Sequence, residues 1–131
     1  MSIYHNCVTG GCYKDVRMAD WKFLDNVFPR GIKIGDIDGI VEYNGNILII
    51  EYKYHLKDGL ENGQKMMFTK GTKGNNRLTF FIVSGTYSPT IPNRIRIFSD
   101  GKMILDSPCN GQRGLVDFVN QWKVKQENSY A

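Results

Sequence analysis

Asn44-Gly45 constrains the fold more than any other dipeptide in this sequence. Both residues tolerate the positive φ that a type I′ turn needs, and strand-like segments flank them, GDIDGIVEY before and NILIIEYKY after. A two-residue loop fixes the pairing register: Tyr43 faces Asn46, so Asp38 falls opposite Glu51 and Asp36 opposite Lys53. Because strand side chains alternate between faces, Asp36, Asp38, Glu51 and Lys53 all project from one side of the hairpin.

That arrangement carries an electrostatic problem. Directly opposed carboxylates, with Cβ atoms about 5 Å apart, destabilise a sheet. Residues 47–50 are apolar on both faces, which predicts an interior strand covered on each side, with Glu51 and Lys53 emerging where it ends. Carboxylates so placed raise their pKa or bind a cation. Asp38 and Glu51 are the first-choice metal ligands and Asp36 the second; an all-oxygen donor set favours a hard ion, Mg²⁺ or Mn²⁺. Such a site suits phosphodiester hydrolysis, with Lys53 orienting the attacking water or stabilising charge that develops in the transition state.

The rest of the chain reads as one α/β (α+β) domain over 1–131, helices flanking a mixed central sheet, and its 131 residues suffice to bury a core. Residues 1–13 are polar and glycine-containing and predict an irregular arm. Val16, Ala19, Phe23 and Val27 recur at helical spacing ahead of Pro29-Arg30-Gly31, predicting an amphipathic helix over 14–28, with Asp15 in its first turn and Asp20 near its apolar stripe. A second helix is predicted over about 60–70, closed by Gly71. Leu60, Met67 and Phe68 form its inward stripe, and Gln64 falls on that face. RLTFFIVS, 77–84, predicts an interior strand. Residues 94–131 predict a hairpin around Ser99-Asp100-Gly101, then a helix over 115–125 with Leu115, Phe118, Val119 and Trp122 on one stripe. Arg94 and Arg96 share a strand face; with Lys65 they are candidate nucleic-acid contacts, although charges on an edge strand more often serve solubility.

A formal net charge of +4 suits a polyanionic partner. No run approaches the roughly 18 apolar residues of a membrane span, and MSIYHNCVTGG lacks the charged-then-apolar order of a signal peptide, so a cytoplasmic protein with no membrane partner is expected. Cys7, Cys12 and Cys109 make an odd count and are expected as reduced thiols. With His5 they are zinc-ligand types, but the spacing is loose for a zinc site.

With these residues in view, the sequence resembles the PD-(D/E)XK, or restriction-endonuclease-like, nucleases. Asp38, twelve intervening residues and then Glu51-Tyr52-Lys53 is similar to their D…ExK signature, and the order helix, hairpin, helix, strand over 15–84 is similar to their αβββαβ core. The resemblance implies Asp38 and Glu51 as metal ligands, Lys53 as a catalytic residue, and Gln64 as a supporting one. Asp15 or Asp20 stands where some branches carry an acid on the first helix. No proline precedes either hairpin aspartate, so Asp36 stays beside Asp38 as a candidate, and the register favours Asp38. The activity implied by the resemblance is that of a Mg²⁺- or Mn²⁺-dependent deoxyribonuclease cutting junctions, flaps or ends, with RNA a second candidate substrate and a homodimer expected by family analogy. Two readings compete: a solvated strand face on which Asp36 and Lys53 merely pair, and a nuclease-like module that binds nucleic acid or a protein partner without cutting, as an inhibitor or recombination accessory. Retention of all three signature residues favours the enzyme.

Overall fold

The Asn44-Gly45 turn forms as its residues require, with φ of 53° at Asn44 and 79° at Gly45. Glu42 Oε2 accepts the Gly45 N–H at 2.7 Å, closing the turn. Strands β1 (Gly39–Tyr43) and β2 (Asn46–Tyr54) pair antiparallel in the anticipated register, from Tyr43 opposite Asn46 to Gly39 opposite Ile50. The computed structural model describes residues 20–32, 37–54 and 62–128. The chain divides into two compact units, 1–36 and 37–131.

The second unit is an α+β fold. Helix α1 (Asn62–Thr72) leads from β2 to β3 (Leu78–Thr86), which runs parallel to β2; β4 (Ile91–Ser99) and β5 (Lys102–Pro108) continue antiparallel, and α2 (Gly111–Asn128) follows. One five-stranded mixed sheet results, in the order β1-β2-β3-β4-β5. β3 is central, and the run from Phe81 to Gly85 is buried, as its unbroken apolar character predicts.

Period-two alternation sorts the core onto the two faces of this sheet. Leu48, Phe81, Val83 and Ile95 pack with Trp122, Leu115, Phe118 and Val119 of α2, the predicted stripe of the last helix. On the opposite face, Ile82 and Phe98 pack with Phe68 of α1 and with Phe80. α1 lies chiefly over β3, β4 and β5. The β1/β2 side of that face is correspondingly less covered: Ile49 is half-buried, Ile47 near the hairpin tip is exposed, and Ile40, the β1 partner of Ile49, is exposed as well. The expected complete cover on both faces of 47–50 therefore holds for Leu48 and not for Ile47.

Two helix predictions need correction. α1 runs past Gly71 to Thr72, and the positive-φ glycine after it is Gly74, at 73°. Tertiary hydrogen bonds carry it there: the Gly101 N–H donates to the buried Thr72 hydroxyl at 2.9 Å and the Gly74 N–H to Asp100 Oδ1 at 2.9 Å. The inward stripe is Phe68 and Thr72, one turn apart; Met67 is 54% exposed. In the first unit, the described part of the predicted 14–28 helix is a single 3-10 turn, Lys22–Leu24. Asp20 Oδ1 accepts the Lys22 N–H at 3.0 Å, an aspartate side chain competing with helical backbone bonding. Phe23 and Val27 are exposed there rather than forming a buried stripe.

Candidate active site

β1 starts at Gly39, so Asp38 stands one residue outside the ladder. Its carboxylate substitutes for the missing strand: Oδ2 accepts the Tyr52 N–H at 2.7 Å. That bond fixes Asp38 against the stretch of β2 whose other two members, Glu51 and Lys53, flank Tyr52 and project to the face opposite the Tyr52 ring. Tyr52 belongs to the α2-side core; Glu51 and Lys53 therefore lie on the α1 side, where the sheet near β1 is least covered.

Electrostatics tie the three side chains to one place. The Glu51 carboxyl is raised above its ordinary value of 4.5, first by burial and then by the Asp38 charge; Lys53 and a hydrogen bond from the Asp38 backbone pull it down, less strongly. Asp38 thus acts on Glu51 across the hairpin, and Lys53 acts on it from two residues further along β2. The acids are a poor pair for each other and a good pair for a divalent cation. Two hard carboxylate oxygen donors fit Mg²⁺ or Mn²⁺, which keep several waters and need few protein ligands. Among the described residues no group of three or more His, Cys, Asp or Glu side chains gathers in metal-binding geometry.

The sheet register extends the polar row beyond the hairpin. Glu51 pairs with Ile82, Ile82 with Arg96, and Arg96 with Asp106; Lys53 pairs with Ser84, and Ser84 with Arg94. Arg94 and Arg96 do share a face, as expected, but both turn to Asp106. Arg94 grips it with two bonds, Nε to Oδ1 at 2.9 Å and Nη2 to Oδ2 at 2.8 Å, and buried Arg96 places Nε 3.5 Å from Oδ2. The Arg94 hydrogen bonds hold the Asp106 carboxyl below its ordinary range. A structural ion-pair cluster is accordingly what these arginines build, rather than a pair of open phosphate contacts. Sequence reasoning misses Asp106, whose place opposite Arg96 depends on a β-bulge.

Gln64 lies on α1 one turn before Phe68; its side chain is outside the described residues. Lys65 is exposed on the same helix, and its carbonyl accepts the Thr69 hydroxyl. Asp20 belongs to the first unit, engaged with the Lys22 N–H. Asp15, Asp36, His5, Cys7 and Cys12 fall outside the described residues. Cys109 is a free thiol within the α2-side core, its pKa raised by burial. No described helix is long and apolar enough to cross a membrane. Comparison with protein-family models, with curated proteins and with solved structures found no match.

Proposed function

We propose that this chain is a divalent-metal-dependent nuclease of the PD-(D/E)XK type that hydrolyses phosphodiester bonds in DNA. One observation carries the reading: the Tyr52 N–H holds the Asp38 carboxylate against the strand that carries Glu51 and Lys53 on one face, and the Glu51 carboxyl is raised by burial and then by the Asp38 charge. The succession of antiparallel hairpin, helix and parallel strand, β1-β2-α1-β3, supports the family likeness drawn from the D…ExK residues.

Asp38 and Glu51 would hold the Mg²⁺ or Mn²⁺. When bound, such an ion supplies positive charge to a phosphoryl oxygen and lowers the pKa of a coordinated water. Lys53 contributes a proton-bearing ammonium on the same face, able to orient the attacking water or to bond a non-bridging oxygen as its negative charge grows. Tyr52 acts through its backbone, fixing the Asp38 carboxylate in place before any ligand arrives. A twofold dimer belongs to the proposal by analogy with the same superfamily.

The test is a cleavage panel of supercoiled, linear, single-stranded, flapped and four-way-junction DNA with Mg²⁺, Mn²⁺ or EDTA, run beside Asp38→Ala. Metal-dependent cutting by the parent that Asp38→Ala loses supports the proposal. Tight binding without cutting in any metal would leave the non-cleaving binder in its place.

A further inference from the structure

Beside the acidic centre, the same end of β2 carries an aromatic cluster that neither core uses fully. Tyr54, immediately after Lys53, and Tyr87, just after β3, stack nearly parallel, with centroids 5.8 Å apart and planes 12° apart. They remain 60% and 55% exposed. Beneath them Tyr52 meets Tyr87 at 5.5 Å in a tilted contact, and its hydroxyl donates to the Thr86 carbonyl. Gly85 makes room for that bond: a Cβ there would stand 2.7 Å from the Tyr52 hydroxyl and 2.0 Å from the Ile91 carbonyl oxygen. The lower ring is thus anchored, Tyr87 rests on it, and Tyr54 stacks on Tyr87, which makes a ready-made platform.

We infer that Tyr54 and Tyr87 form a stacking surface for an unpaired nucleobase next to the phosphodiester at Asp38, Glu51 and Lys53, so that the substrate is single-stranded at the cut. The inference rests on the nuclease reading and narrows its substrate. Tyr54 directly follows Lys53, about 3.3 Å further along the strand, and its ring projects to the other face. A strand whose phosphate meets Lys53 can therefore lay a neighbouring base on the rings by wrapping over the sheet end. A base inside a duplex has both faces occupied by its neighbours and has no face left for a tyrosine. Base-on-aromatic stacking tolerates every base, so the platform implies no sequence preference.

Anisotropy of fluorescein-labelled oligothymidylate, oligouridylate and a duplex control, measured in EDTA so that nothing is cut, tests this. Tyr54→Ala and Tyr87→Ala should each weaken single-strand binding about tenfold and leave duplex binding within about twofold. Tyr54→Phe and Tyr87→Trp, which keep a ring, should bind like the parent; their unfolded counterparts would show in far-UV circular dichroism. Ring-dependent binding of either the deoxy or the ribo strand supports the platform and identifies the sugar it accepts. Equal losses on duplex and single strand, no loss on either, or losses that track dissociation of a dimer in sedimentation would each overturn it. Cleavage is scored separately: a parent that cuts with metal but shows no ring dependence refutes the platform alone. A folded parent that never cuts yet shows ring-dependent binding refutes the nuclease reading alone.

Discussion

Replacing Glu51 with glutamine should stabilise the metal-free protein while destroying its response to metal. Glu51 is half-buried, faces the charge of Asp38, and takes a hydrogen bond from the Asp38 backbone that an amide oxygen can also accept. Like charges directly opposed on a hairpin destabilise it by about 0.2–1 kcal/mol, and solvent screening of a partly exposed pair keeps the effect near the middle of that range. A gain of about 0.5 kcal/mol raises the melting temperature by about 2 °C in a domain of this size. The pH dependence has a definite sign. Because the folded pKa of Glu51 lies above 4.5, the folded state holds the proton more tightly than the unfolded chain. The favourable contribution of the protonated form is complete below pH 4.5 and is lost as pH rises through the raised value, so the advantage of Glu51→Gln is present at neutral pH and vanishes in acid. Differential scanning fluorimetry in EDTA and in Mn²⁺ reads both effects. With free Mn²⁺ about tenfold above Kd, the parent should gain about 1.4 kcal/mol and the variant nothing. A variant that melts lower than the parent in EDTA at neutral pH, or that gains as much from Mn²⁺, would refute the reasoning.

Two other substitutions test the frame around the site. Asp106→Ala leaves the buried Arg96 guanidinium without its partner and should cost about 2 kcal/mol at neutral pH in urea unfolding, below the usual cost for a fully buried pair because Asp106 is partly exposed. Since Arg94 lowers the folded pKa of Asp106 below 3.8, the stability it contributes is present above 3.8 and lost as pH falls through the lower value, so the deficit should shrink in strong acid; a pH-independent deficit would contradict this. Gly85→Ala drives a methyl group into the Ile91 carbonyl and the Tyr52 hydroxyl and should cost about 3 kcal/mol by thermal unfolding, with an unchanged melting temperature as the contrary result.

What the sequence made legible was local chemistry with a unique geometric answer. Asn44-Gly45 permits one turn, one turn permits one register, and that register runs to Gly39 opposite Ile50, leaving Asp38 next to the ladder with its carboxylate on the Tyr52 N–H. The α2 stripe and the central β3 followed in the same way from periodicity. Failures came where a distant group decides a local outcome. Gly71 looked like a helix terminus, but Thr72 and Gly74 bond to the Asp100-Gly101 turn far along the chain. The second hairpin is the clearest case. Its turn sets Ser99 opposite Lys102, which would send Asp106 toward Ile95 and the α2-side core; a bulge between Ile97 and Phe98 shifts the register by one and places Asp106 opposite Arg96. No turn signal announces that bulge, so Arg94 and Arg96 read as open cations when both are ion-pair partners of the half-exposed Asp106. The short first segment departs from its helical spacing for a local reason: Asp20 Oδ1 accepts the Lys22 N–H.

The central claim is that Asp38 and Glu51 hold a metal while Lys53 supplies a separate catalytic charge. Lys53→Met separates these roles, because it removes the ammonium and leaves both carboxylates. Mn²⁺ binding by calorimetry and nicking of supercoiled plasmid, measured on parent and Lys53→Met together, read the two functions. Lys53→Met should bind Mn²⁺ within about threefold of the parent and cut plasmid slower by about two orders of magnitude or more. A Lys53→Met protein that nicks plasmid as fast as the parent would contradict the central claim.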